Sequence, residues 1–313
     1  MSQPTPEPPA RPGQSAVPAR SWLPLWCLLA VIWGSSFLLI KVGLTGFDPL
    51  PLATLRNVSG AVTVLLILLV LRQRLPCEPI AWLHAAITGL LLAGLPAVLF
   101  AWAETRITSV LAGLFNAATP LFTALAGLLI ARGQRIGPNR TLGLILGFAG
   151  VAVMLGAWHT PAGGLAGSAA AIGATVCYGL GIQWQQRFLT PRRESPEAMV
   201  AALLICAAAL LVVVDVGSGS LQSTSWQLGP TLAVVALGAI GTGTAYVIFY
   251  RVLRLAGPLT SSTITYASPL VSILLGVTLL GETLRWNQPV GAAIVLTGVA
   301  LVQGFLRPLP ERR

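Results

Sequence analysis

Apolar and polar positions alternate along this chain on a long period. Ten apolar runs are separated by short polar breaks, at 24–44, 50–71, 83–103, 108–131, 141–158, 165–188, 198–215, 230–250, 259–281 and 288–306. A helix needs about 20 apolar residues to cross the hydrocarbon of a bilayer. The pattern therefore predicts an all-α integral membrane protein with ten transmembrane helices. The long polar links are Trp158–Gly164 and Val216–Gly229, so no soluble domain is expected between spans.

The runs fall into two sets of five that resemble each other. Five is odd, so the second set must enter the membrane from the opposite side, as in the inverted repeats of secondary transporters. The fourth and ninth runs show the repeat best. SVLAGLFNAATPLFTALAGLLIARGQ from Ser109 aligns with PLTSSTITYASPLVSILLGVTLLGET from Pro258, placing Pro120 on Pro269, Asn116 on Thr265 and Thr119 on Ser268. The expected organisation is a disordered, Pro-rich cytoplasmic tail (1–20), two repeats (21–158 and 159–307) and a short cytoplasmic tail (308–313). The first run is of full spanning length and lacks the basic start of a signal peptide, so it is expected to be retained.

Composition agrees: 55% of residues are hydrophobic and 9% charged, with mean hydropathy +0.81. A soluble domain carries roughly 25% charged residues. The net charge of +10 lies in short loops rather than on one face, so no nucleic-acid partner is expected. With the N-terminus inside, fifteen Arg residues fall in inside connections and only Arg106 and Arg285 outside. That asymmetry predicts both termini in the cytoplasm. The cysteines (Cys27, Cys77, Cys177, Cys206) have no CxxC or metal spacing, and His84 and His159 lack a metal-type partner. No metal or cofactor is expected.

Several stretches resemble the drug/metabolite transporter superfamily, in its ten-helix branch of paired EamA-type repeats. They are WGSSFLLIKVG at Trp33–Gly43, LRNVSGA around Arg56, the two small-residue helices with Pro120 and Pro269, and LLGETLRWNQPVGAAIVLTGVALV at 279–302. The likeness covers about 280 residues. It implies a bacterial-type inner-membrane exporter of small metabolites, amino acids foremost, with multidrug or cationic-compound export as the alternative. The first half has ARGQR where the second has LGETL, so any role of Glu282 is not two-fold symmetric.

Candidate transport residues follow from spacing and chemistry. Pro120 and Pro269 each remove a backbone hydrogen bond in mid-helix, predicting kinks whose released carbonyls need partners. Asn116 and Thr265 are candidate partners, and candidate substrate contacts. In the first helix Trp33, Phe37 and Lys41 share a face. Lys41 and Arg56 are ionisable groups near the outer surface, a costly placement that points to function. They could meet a substrate carboxylate or pair with Glu104 or Asp48. Trp102, Tyr178, Tyr246 and Tyr266 are candidate cavity aromatics. Inverted symmetry sets Lys41 opposite Gln186, making Gln185 and Gln186 a candidate inner gate. Gly143 and Gly147 form a GxxxG pattern, read as internal packing or as a dimer face; a monomer is the expectation. No Asp or Glu sits at mid-span, and Glu104, Asp215 and Glu282 fall at outer ends. HExxH, GxSxG and P-loop motifs are absent, as is a filter-like ring, which argues against an enzyme or a channel.

Overall fold

A computed structural model describes residues 22–130, 137–156, 162–192, 194–262 and 264–306. The two tails, Arg132, Arg135 and Arg193 lie outside the described residues. Ten helical spans run back and forth. They are α1 (Leu23–Gly43), α2 (Pro49–Val70), α3 (Pro79–Glu104), α4 (Ser109–Asn116 and Thr119–Ile130) and α5 (Pro138–Leu155). Then follow α6 (Ala162–Phe188), α7 (Pro196–Ser218), α8 (Leu228–Gly238, Ala239–Thr244 and Ala245–Ser262), α9 (Ile264–Leu280) and α10 (Asn287–Gln303). Eight spans are long and apolar enough to cross a membrane, and α9 and α10 are shorter apolar helices. The expected all-α, ten-helix class is what the chain adopts.

Local chemistry sets the ends. Proline opens α1, α2, α3, α5 and α7, where its missing N–H would be unpaired anyway. Ser195 caps α7 and Thr108 caps α4 by accepting backbone amides. Left-handed glycines Gly156, Gly219 and Gly304 stop α5, α7 and α10.

The two sets of five interlock. α1 packs on α8 and α9, and its counterpart α6 packs on α3 and α4. α2 packs on α7 and α8; α4 meets α9, and α5 meets α10. α3 packs on α7 as α2 packs on α8, so the main contacts between sets come in inverted pairs. The α5–α10 pair is the tightest. A Cβ at Gly143 would lie 2.6 Å from the Gly298 carbonyl oxygen, and one at Gly150 would lie 2.8 Å from that of Gly291. Gly147 faces Leu121 of α4. The GxxxG face is therefore used inside the chain, where small residues let backbones approach. Large apolar side chains such as Leu69, Val70, Val213 and Leu270 remain outward, as a lipid-facing surface requires.

Among the described residues, α3 and α8 each carry a π turn, at matched places. α3 contains a π turn at Leu90–Gly94, and α8 contains one at Ala239–Thr244. Both are the third span of their set. Glycines flank each: Gly89 sits where a Cβ would be 2.2 Å from the Leu203 carbonyl oxygen of α7. Gly238 stands in the same relation, 2.2 Å, to the Arg56 carbonyl oxygen of α2. Close backbone approach to the second helix of the other set explains the glycines. Single π turns concentrate at functional sites.

Candidate functional site

A cavity of about 170 Å³ lies between the two sets of helices. The π turns border it with Leu92 and Ala93 on one side and Gly241 and Thr242 on the other. α1 contributes Trp33, Ser36, Phe37 and Ile40, successive residues of one helical face. α2 contributes Arg56 and Asn57, and α4 contributes Asn116 and Thr119. Tyr178, Ile182 and Gln185 come from α6, Tyr246 and Phe249 from α8, and Thr265 from α9.

Aromatic rings make up much of the wall. Phe37 meets Phe100 edge-on at 5.4 Å, Phe100 lies 6.0 Å from Tyr178, and Trp33 lies 5.5 Å from Phe249. Polar groups are few and placed. Arg56 Nε donates to Thr242 Oγ1 at 3.0 Å, tying α2 to the α8 π turn and leaving the Nη fork for the cavity. Asn57 Nδ2 donates to the Ala53 carbonyl at 2.8 Å, and its Oδ1 is buried without a partner. Tyr246 OH donates to the Leu92 carbonyl at 3.4 Å, reaching from one π turn's helix to the other π turn. Among the described residues lining the cavity, Arg56 is charged and no carboxylate is present.

Of the residues singled out by sequence, Trp33, Phe37, Arg56, Asn116, Tyr178, Gln185, Tyr246 and Thr265 meet at this cavity. Lys41, Trp102, Tyr266 and Gln186 do not line it. Lys41 is a turn beyond Phe37, at the α3–α4 corner and on a second cleft. Its Nζ donates to the carbonyls of Glu104 (2.6 Å) and Ile107 (3.2 Å). The Glu104 carbonyl ends α3 and the Ile107 carbonyl lies in the corner before α4, so the ammonium ties the helix C-terminus to the corner. Trp102 is two residues from Phe100 and so on the far side of the helix, with the Arg106 guanidinium 3.5 Å above its ring. Tyr266 is turned about 100° from Thr265 and donates to Gln303 Oε1 at 2.7 Å. Gln186 is exposed, whereas its neighbour Gln185 is hydrogen-bonded to Tyr250 at the cavity's edge.

The prolines act differently from each other. At Pro120 the helix breaks outright, ending at Asn116 and restarting at Thr119. Pro269 lies inside a continuous α9. The amide missing at each proline would have bonded the carbonyl four residues earlier, that of Asn116 or Thr265. Both residues line the cavity.

Sequence reasoning missed Asn57, Phe100, Thr242 and Phe249. The available signal was the matched pair Gly89/Gly94 and Gly238/Gly243, at the same offset as Pro120 and Pro269.

Two interlocked, inverted sets of five membrane helices around a central cavity make the architecture of a membrane transporter. The EamA-like transporter family profile matches residues 20–156 and 165–303, and the chain belongs to that family. It is 27% identical over 288 residues to the uncharacterized inner membrane transporter YedA of Escherichia coli (strain K12), covering 90% of this chain and 92% of that one. It is 24% identical to the uncharacterized transporter YvbV of Bacillus subtilis (strain 168), covering 89% and 90%. Against protein PecM of Dickeya dadantii (strain 3937) the identity is 23%, covering 87% and 89%. A solved crystal structure superposes with TM-score 0.61 at 23% identity, over 93% of this chain and all of the other, which shows a shared fold. The protein is a multi-pass membrane transporter of small molecules.

Proposed function

We propose that the protein exports small metabolites, amino acids foremost, across a bacterial-type cytoplasmic membrane by alternating access. The observation that carries this is the lining of the cavity: aromatic walls, uncharged polar groups and one guanidinium, with no carboxylate among the described lining residues. A guanidinium matches a carboxylate in fork geometry, and the rings suit an apolar side chain. The size agrees. About 170 Å³ is below the ~300–1,000 Å³ of sites for drug-sized ligands. A cavity without a carboxylate gives a lipophilic cation no counter-charge.

Counterflow tests this directly. Purified protein in liposomes, preloaded with an amino acid, is expected to show saturable uptake of the labelled amino acid. Cells overproducing it are expected to tolerate toxic amino-acid analogues. Exchange of a lipophilic cation, with none of any amino acid, would replace this reading by multidrug export.

The orientation belongs to the same proposal. The helix ends at Val70, Pro79, Phe188 and Pro196 carry Arg72, Arg74, Arg187 and Arg192 and would face the cytoplasm with both termini. Reporter fusions within 131–136 are expected to read as cytoplasmic. A periplasmic signal there would overturn this topology and the inverted-repeat argument together.

A further inference from the structure

We propose that Glu104 is a proton-binding site whose ionisation opens the partition between the central cavity and the cleft at the far end of the bundle. This deepens the transporter reading above and rests on it. The site would couple substrate movement to protons.

Glu104 ends α3 and is completely buried, and neither carboxylate oxygen has a hydrogen-bond partner. Its position is a boundary. Phe100, one turn earlier, lines the central cavity. Thr105 and Ile107, just after it, line a second cleft of about 610 Å³ at the far end. α1 shows the same step, with Ile40 on the cavity and Lys41 on the cleft. The Glu104 and Lys41 backbones thus stand together on the wall between the two spaces.

The charged groups facing Glu104 come from three directions. α1 brings Lys41, α2 brings Arg56, and the α9–α10 connection brings Glu282. Arg106 follows on the same corner but is held over Trp102. α6, packed on α3, has no charged residue from Ala162 to Gln186; its titratable groups there are Cys177 and Tyr178. α4 has none between Ser109 and Ile130. Glu282 is occupied by the Ser109 and Val110 amides. The Lys41 ammonium is occupied by two backbone carbonyls and makes no hydrogen bond to the Glu104 carboxylate.

A buried carboxylate without hydrogen bonds bears the full cost of losing water, whereas the neutral acid bears much less. This arrangement therefore suits the protonated form. Loss of the proton to water in the cleft leaves a negative charge beside Lys41, whose ammonium already holds the Glu104 carbonyl. The ammonium can hold the Glu104 and Ile107 carbonyls or the new carboxylate, and moving to the carboxylate releases the α3–α4 corner. One proton thus selects between two arrangements of the same wall. An ionisable residue inside a span is costly and points to such a role.

Infrared difference titration of the full chain in liposomes, without substrate, tests the site. A carboxylic-acid carbonyl band is expected to vanish as pH rises. It should be lost in Glu104→Gln and kept in Asp215→Asn and Glu282→Gln. Lys41→Gln is expected to move the titration to higher pH, because the ionised form loses its cation. For the partition, Ile40→Cys is introduced with the four native cysteines changed to Ser. Its labelling by an impermeant thiol reagent from the far side is expected to rise with pH more steeply than in the same protein carrying Glu104→Gln. A band that survives Glu104→Gln, or equal pH profiles of labelling, would overturn the proposal. If Glu104→Gln does not fold, Glu104→Asp decides: an unmoved titration counts against the site. Neither readout uses an amino acid, so failure of counterflow overturns the substrate reading alone.

Discussion

Arg56→Ala is expected to lower transport of a zwitterionic amino acid about 10- to 100-fold, mostly through apparent affinity. The guanidinium is the charged group on the cavity wall among the described residues. Its Nε is already spent on Thr242, so the fork that remains is held in place before substrate arrives. A charge-assisted hydrogen bond is worth roughly 1.5–3 kcal/mol, and each ~1.4 kcal/mol is tenfold. Arg56→Lys keeps the charge without the fork and is expected to fall between wild type and alanine. Thr242→Val removes only the pin and should cost less than Arg56→Ala. The decisive measurement compares an amino acid with the amine that lacks its carboxyl. Wild type is expected to prefer the amino acid, and Arg56→Ala to lose that preference. An unchanged preference would show that Arg56 holds the α8 π turn and does not bind substrate.

The fold was legible because the bilayer imposes length and hydropathy on every span. Nine of the ten apolar runs overlap one helical span each; the ninth, 259–281, begins inside α8, which continues to Ser262, twelve residues past the expected end at 250. Side-chain spacing also carried part of the site. Trp33 and Phe37 do share a face, and Asn116 and Thr265 do occupy matched positions on one cavity. Three things were not legible. Spacing assigns a face but not where along it the cavity ends, so Lys41 was grouped with Phe37 although the α3–α4 corner intervenes. Aromatic character does not give helical phase across a chain of candidates, so Trp102 was chosen and Phe100, two residues away, was not. The π turns leave no propensity signal, and the glycines around them become meaningful only when a neighbouring backbone is known to pass within contact distance. Asn57 and Thr242, which those turns bring to the cavity, were hidden for the same reason.

Glu282→Gln is expected to lower thermal stability and, together with Lys41→Ala, to reveal that both residues hold one corner. The α3–α4 corner is gripped from two sides. Lys41 donates to the last carbonyl of α3, that of Glu104, and to the Ile107 carbonyl in the corner. Glu282 accepts from the first amides of α4, with Oε1 to Ser109 N at 2.8 Å and Oε2 to Val110 N at 2.9 Å. Oε2 also accepts from Ser109 Oγ at 2.9 Å. A cation at a helix C-terminus and an anion at a helix N-terminus both complement the helix dipoles. Glutamine keeps one acceptor but turns an NH₂ toward an amide donor, so the loss should be about 1.5–3 kcal/mol, the scale of hydrogen bonds to a charged group. At the opposite end, among the described residues, Gln185 bonds Tyr250 at the cavity edge and Arg192 pairs with Glu78 between the connections. Weakening the grip of Lys41 and Glu282 alone is therefore expected to raise the population open at the far end. If Lys41 and Glu282 act on the same corner, releasing it once leaves less to lose. The double variant should then deviate from additivity by at least ~0.5 kcal/mol, whereas independent sites add within about 0.3–0.5 kcal/mol. Additive losses, with unchanged labelling of Ile40→Cys in each variant, would mean that the two contacts merely stabilise separate helix ends.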